Sequence, residues 1–149
     1  MKVYIGADHR GYKLKETLKN FLSKEGYDWQ DLGANELNAS DDYPLYAEKV
    51  GTIVASQENS FGIVLCGSGV GVEVTANKID GVRASIGKSP EQVVAGRNDD
   101  DMNILVIASD FTKEEEAKKM IKEFLETKFY KKDRFDRRLS EIEKLEANN

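Results

Sequence analysis

The 149 residues amount to one domain, against a usual span of about 100–200 residues, and a chain of that length buries enough surface to fold without disulfide or metal staples. Lys and Arg total 22 and Asp and Glu 27, a net charge of −5; this argues against a nucleic-acid protein, whose footprint is basic overall. One cysteine and one histidine exclude an internal disulfide and a Cys/His zinc site. No apolar run approaches the roughly 18 residues of a membrane span, and the first residues lack the pattern of a signal peptide, so a cytoplasmic home is expected.

Only two prolines interrupt the chain, and there is no linker, repeat or low-complexity stretch, which predicts a single domain over residues 1–149. Val3-Tyr4-Ile5 is a short strand ending at Gly6. Leu14, Leu18, Phe21 and Leu22 fall at helical spacing between Tyr12 and Lys24, with Gly26 closing the helix. Trp29 to Leu32 is a weak strand. Asp41-Asp42-Tyr43-Pro44 opens a helix that Asp42 can cap, followed by Leu45, Val50, Ile53 and Val54.

Phe61 to Cys66 is apolar throughout, as a central parallel strand covered on both faces must be. A helical segment from Val72 to Lys78 follows, then a strand from Val82 to Ile86. Ser89-Pro90-Glu91 opens a helix toward Arg97. Ile104 to Ala108 is a fifth strand. A capping box from Thr112 to Glu115 starts a helix running to about Thr127, and a strongly charged helix covers about 134–146. Strands alternating with helices predict an α/β fold with a five-stranded parallel sheet between helical layers. Ligands of such sheets sit beyond the carboxyl ends of the strands. The turns Gly6–Gly11, Cys66–Gly71 and Ala108–Phe111 are therefore expected to converge.

Three features on those turns carry chemistry. Cys66-Gly67-Ser68-Gly69-Val70-Gly71 alternates glycines ahead of a helix, a pattern that gathers backbone N–H groups around a phosphate or a developing oxyanion. It is neither a P-loop nor a full dinucleotide fingerprint, and the glycines alone are equally those of a tight turn. Cys66 at the strand end sits where backbone donors favour a thiolate, although a lone cysteine is most often a buried structural residue. Asp8-His9-Arg10-Gly11 puts an acid, the one histidine and an arginine on the first turn.

Taken together, Asp8-His9-Arg10-Gly11 with Leu14-Lys15, Asp42-Tyr43-Pro44, Cys66 to Gly71, Ala76-Asn77-Lys78, Gly81 with Arg83, and Arg97 with Asn103 resemble the ribose-5-phosphate isomerase B family, which also holds the galactose-6-phosphate isomerase subunits. The resemblance spans nearly the whole chain in order. It implies a Rossmann-like three-layer α/β/α sandwich, a homodimer that can pair into a tetramer, active sites shared between subunits, and cofactor-free aldose–ketose isomerisation of a phosphorylated sugar. It implies Cys66 as the base that takes the C2 proton, with Ser68, Asp99 and His9 as further catalytic groups. It implies a binding set of Asp8, His9, Arg10, Tyr43, Gly67, Ser68, Gly69, Val70, Gly71, Asn77 and Asp100. Arg134 and Arg138 of the last helix are implied to reach the phosphate from the partner subunit, with His9 opposite.

The chain departs from the family in three places. Some members replace the cysteine with a glutamate just after the glycine loop; here Val72 stands at that place and Glu73 is one residue off. The usual Arg-x-His-Asn-x-x-Asn reads Arg97-Asn98-Asp99-Asp100-Asp101-Met102-Asn103, so the histidine that opens the sugar ring is Asp99. A position that is arginine in some members is Asp110. Ribose 5-phosphate is the expected substrate. A galactose- or allose-6-phosphate isomerase and a non-catalytic sugar-phosphate-binding subunit are the alternatives.

Overall fold

A computed structural model describes residues 1–149. Five strands, β1 (Lys2–Ala7), β2 (Trp29–Asp31), β3 (Ser60–Cys66), β4 (Ala84–Ile86) and β5 (Ile104–Ala108), form one sheet in the order β2-β1-β3-β5-β4. Every pairing is parallel. The helices are α1 (Tyr12–Lys24), α2 (Tyr43–Ser56), α3 (Val70–Ala76), α4 (Pro90–Asp100), α5 (Glu114–Glu126) and α6 (Asp133–Ala147).

The order of the strands dictates the layers. Right-handed crossovers put a helix on one face when the chain moves one way across the sheet and on the other when it moves back. From β1 to β2 and from β4 to β5 the chain moves in one direction, carrying α1 and α4; from β2 to β3 and from β3 to β4 it moves in the other, carrying α2 and α3. Two cores result. One joins Val3, Ile5, Ile63, Leu65, Leu105 and Ile107 of the sheet to Leu18, Leu22, Val93, Ile121 and Phe124. The other joins Tyr4, Val64, Cys66, Ile104 and Val106 to Ala47, Val50, Val54, Val72 and Ala76. Adjacent residues of one strand thus serve opposite cores, which is why β3 and β5 are apolar throughout. The expected three-layer α/β/α sandwich is the fold observed.

Local chemistry moves several expected boundaries. Gly26 takes a left-handed conformation (φ 79°) just past α1, as a closing glycine does. Ser89 caps α4 by accepting from the Gln92 N–H at 3.1 Å. The Thr112–Glu115 capping box does not form: α5 begins at Glu114 with Lys113 at its N-cap, and three glutamates in the first turn favour that end instead. Asp42 stands at the N-cap of α2 without capping through its side chain. β4 is shorter than Val82–Ile86, because Val82 closes a turn onto Ile79 and the Arg83 N–H donates to Asn103 Oδ1 at 2.7 Å.

Lys15 is the largest fully buried side chain, where the apolar spacing of α1 pointed to Leu14 instead. Its ammonium donates to Asp31 Oδ1 and Oδ2 at 2.7 and 2.6 Å and to the Ala34 carbonyl at 2.7 Å. The pair ties α1 to the carboxyl end of β2. Burial pushes the Asp31 carboxyl up, but the bonds from Lys15 and Lys19 outweigh it and hold the group below its ordinary value. Breaking a buried pair strands a charge, so Lys15→Met is expected to destabilise the fold by roughly 3–5 kcal/mol in urea unfolding. A lowered carboxyl also stabilises the fold above its unfolded pKa of 3.8, and that contribution fades as pH falls through the folded value. Below pH 4 the gap between wild type and Lys15→Met should therefore narrow.

Candidate active site

The direction of strand progress reverses between β1 and β3, and the crevice for a ligand lies beyond their carboxyl ends. The turns expected to converge do so there. The Asp8 N–H donates to the Leu65 carbonyl, the Ser109 N–H to the Cys66 carbonyl and the Asp110 N–H to the Gly67 carbonyl, at 3.3, 2.9 and 3.0 Å. Gly11 is obligatory at this junction, because a Cβ on it would lie 2.7 Å from that of Leu65.

Cys66 ends β3 as a free, buried thiol. The loop after it leaves backbone donors free. Gly69 is left-handed (φ 78°) and turns the chain into α3. The N–H of Val70 donates to Ser68 Oγ at 3.3 Å. The N–H groups of Ser68, Gly69 and Gly71 have no acceptor in the chain, which leaves donors free along the segment that follows the thiol.

Other segments lie beside this loop. Asp8 is buried, and its Oδ1 accepts from the N–H groups of Arg10 and Gly11 at 3.0 and 3.1 Å, fixing the first turn. The Tyr43 ring lies over Gly71, where a Cβ would come within 2.6 Å of it. Arg10 reaches over Gly67 and pairs with Asp110 from the turn after β5. His9 is held by Asp41, a residue that the sequence assigns only to a helix start. Asp8, His9 and Asp41 also bring cation-ligand atoms within 4.8 Å of one another; the His9 nitrogen facing that group, Nδ1, is engaged with Asp41, and no further observation points to a cation.

Asp99, Asp100, Arg134 and Arg138 lie elsewhere. Asp99 and Asp100 end α4, ahead of the amino end of β5, whereas Cys66 pairs with Ala108 at its carboxyl end. The five residues of β5 span about 13 Å, so these groups sit at opposite ends of one sheet. The Tyr130 N–H donates to the Asn98 carbonyl at 3.0 Å, which brings the start of α6 to the same end as Asp99. Arg134 and Arg138 are exposed there. Asp101 takes a left-handed conformation and pairs with Arg83 and Arg97 at 3.0 and 2.8 Å.

Asn77 is not brought to the crevice either. It closes α3 at the end away from the glycine loop, and both its amide atoms are engaged with the backbone of Ala84 at 2.8 Å. Arg97 is buried and packs its guanidinium over Phe61 at 4.8 Å and near Phe124 at 5.9 Å, bonded to Asp101 and the Met102 carbonyl. Glu73 accepts from the Ile86 N–H at 3.0 Å.

A profile of the ribose/galactose isomerase family matches residues 3–142. This chain belongs to that family. A probable ribose-5-phosphate isomerase B of Mycoplasma pneumoniae is 38% identical over 127 residues, covering 85% of this chain and 84% of that protein. Among solved structures, ribose-5-phosphate isomerase B of Clostridium thermocellum superposes with a TM-score of 0.94 at 35% identity, over 99% of both chains. Ribose-5-phosphate isomerase B of Mycoplasma genitalium, solved with bound ribulose 5-phosphate, gives 0.89 at 34% identity over 99% of this chain and 97% of that one. The ribose/galactose isomerase fold accordingly covers the full sheet, the glycine loop and α6.

Proposed function

We infer that this chain is an aldose–ketose isomerase that interconverts ribose 5-phosphate and ribulose 5-phosphate through a cis-enediolate, without a cofactor. The observation that carries this reading is the Cys66 thiol at the end of β3, beside three unengaged backbone donors, in a chain that aligns end to end with an isomerase solved with ribulose 5-phosphate.

Each step has a group for it. As a thiolate, Cys66 takes the C2 proton of the open-chain aldose and returns it to C1. The enediolate oxygen lies against the N–H groups of Ser68, Gly69 and Gly71, where charge develops in the transition state. The Ser68 hydroxyl passes a proton from O2 to O1, which balances the exchange. Asp8, His9, Arg10, Tyr43 and the Gly67–Gly71 backbone hold the sugar.

Arg10 is the one arginine the chain brings to this crevice, and its guanidinium is paired with Asp110, so the phosphate needs further cations. We therefore assign Arg134 and Arg138, with Asp99 and Asp100, to the site of a second copy, making the working unit a homodimer able to pair further. The single domain of residues 1–149 then shares its last helix with its partner. Val70, Val74, Tyr43 and Leu45 support this, since they leave an apolar face exposed beside the glycine loop. No helix is long and apolar enough to cross a membrane, and the free thiol and phosphosugar chemistry support a cytoplasmic enzyme.

A coupled assay of the purified protein against pentose and hexose phosphates tests the reading. Turnover of ribose 5-phosphate ahead of the hexose 6-phosphates is expected. Preference for galactose or allose 6-phosphate would reassign the substrate, and binding without turnover would make the chain a non-catalytic subunit. In the same assay Arg134→Ala and Arg138→Ala should each raise KM by about 10–100-fold, the worth of a charge-assisted bond to phosphate, with kcat less affected.

A further inference from the structure

His9 is the one imidazole in the chain, and its ring is held by a device that sequence spacing conceals. Asp41 lies 32 residues away, on the loop before α2. Its Oδ1 accepts from the His9 backbone N–H at 2.9 Å and lies 2.7 Å from the His9 ring Nδ1. Its Oδ2 accepts from the Tyr46 hydroxyl at 3.1 Å. The Asp41 side chain is 5% exposed and that of His9 30%, so the carboxylate is enclosed while the imidazole opens outward. Burial first, and then Asp41 and Asp8, push the Tyr46 phenol above its ordinary value, and it stays a donor at every working pH.

We propose that Asp41 is a positioning residue for the isomerisation, fixing the His9 ring and its tautomer so that Nε2 is the atom presented to the phosphosugar. This rests on the placement of His9 in the substrate site given above. An ionised carboxylate only accepts, so the ring nitrogen against it must carry the hydrogen. With Nδ1–H bound to Asp41, Nε2 is the remaining functional atom, and it makes no hydrogen bond in the chain. The backbone N–H of His9 on the same oxygen supplies the register: ring and main chain are clamped at one point, so the ring cannot turn over without losing a bond at the rim of the crevice.

The device predicts an unusual response to isosteric replacement. In Asp41→Asn the amide oxygen is compelled to face His9, because both the backbone N–H and Nδ1–H need an acceptor there. The amide nitrogen then faces Tyr46, whose hydroxyl accepts as readily as it donates. Asp41→Asn should thus preserve the tautomer, whereas Asp41→Ala removes the clamp.

Ring nitrogen-15 NMR of the full chain reads this directly, since a single histidine gives an unambiguous spectrum. The neutral wild-type protein and Asp41→Asn are expected to show the Nδ1–H tautomer, and Asp41→Ala to lose it. In the isomerase assay, Asp41→Ala should raise the KM for ribose 5-phosphate about tenfold with a smaller change in kcat, while Asp41→Asn stays within about threefold of wild type. A wild-type spectrum showing Nε2–H overturns the proposal without any variant being made. So does an Asp41→Ala spectrum identical to wild type. If the tautomer is lost as expected but KM and kcat are unchanged, the clamp exists and the placement of His9 against substrate is what fails. Recovery of wild-type KM by Asp41→Asn, with equal melting temperatures for both variants, separates positioning from general stability.

Discussion

Replacing Cys66 by alanine is expected to lower kcat by about 10²–10⁴-fold, the usual cost of removing a general base, and to leave phosphosugar binding close to wild type. The two effects separate because the thiol acts on a C–H bond during the reaction and adds little to ground-state binding. The backbone donors of Ser68, Gly69 and Gly71 remain in place in this variant, so an enediolate-like inhibitor should still bind. The checks are a coupled isomerase assay and calorimetric titration of the inhibitor. Turnover near wild type would remove Cys66 as the base. Attention would then pass to Glu73, which accepts from the Ile86 N–H on the neighbouring rim.

The second large effect follows from the sheet itself. Cys66 ends β3 at the carboxyl end of the sheet, and Arg134 lies in the first turn of α6 at the other end. Assayed at substrate near the wild-type KM, well below the raised KM of the Arg134→Ala chain, a Cys66→Ala chain and an Arg134→Ala chain should each show little activity alone. Mixed and allowed to exchange subunits, they should recover about a quarter of wild-type activity, because half of randomly formed dimers are mixed and each rebuilds one of its two sites. Formation of mixed dimers is followed by mass spectrometry. Mixed dimers without recovered activity would place both residues in a site made by one chain.

The parts of this molecule legible in the sequence are those fixed by local chemistry. The runs Phe61–Cys66 and Ile104–Ala108 are apolar because each residue serves one of two cores, and no helix of that composition is amphipathic. The glycine loop is legible for the same reason: its alternation and its place after a strand are both short-range facts. Lys15 escaped because period alone assigns a charged residue to solvent, and only the arrival of Asp31 from β2 reverses that. Asp41 escaped because its partner His9 stands 32 residues away. The capping box at Thr112 failed because Lys113 stays extended at the N-cap, putting the first helical residue one position past it. That Asp99 and Cys66 lie at opposite ends of the sheet follows from the parallel run of β3 and β5, since Asp99 precedes β5 and Cys66 ends β3; the family motif gives both residues without their strand ends.

The bridge between Arg10 and Asp110 above Gly67 limits how this protein can change by mutation. The two side chains come from different turns and meet over a residue that has no room for a Cβ. An arginine acquired at 110 while Arg10 remains would press two guanidiniums together over the loop. An aspartate acquired at 10 while Asp110 remains would ring the phosphosugar crevice with like charge. Either single step loses the bridge and sets like charges against each other, whereas the reciprocal exchange Arg10→Asp with Asp110→Arg restores a bridge of opposite polarity. Moving the cation from position 10 to position 110 while keeping a bridge therefore takes paired substitutions, or a neutral residue as an intermediate.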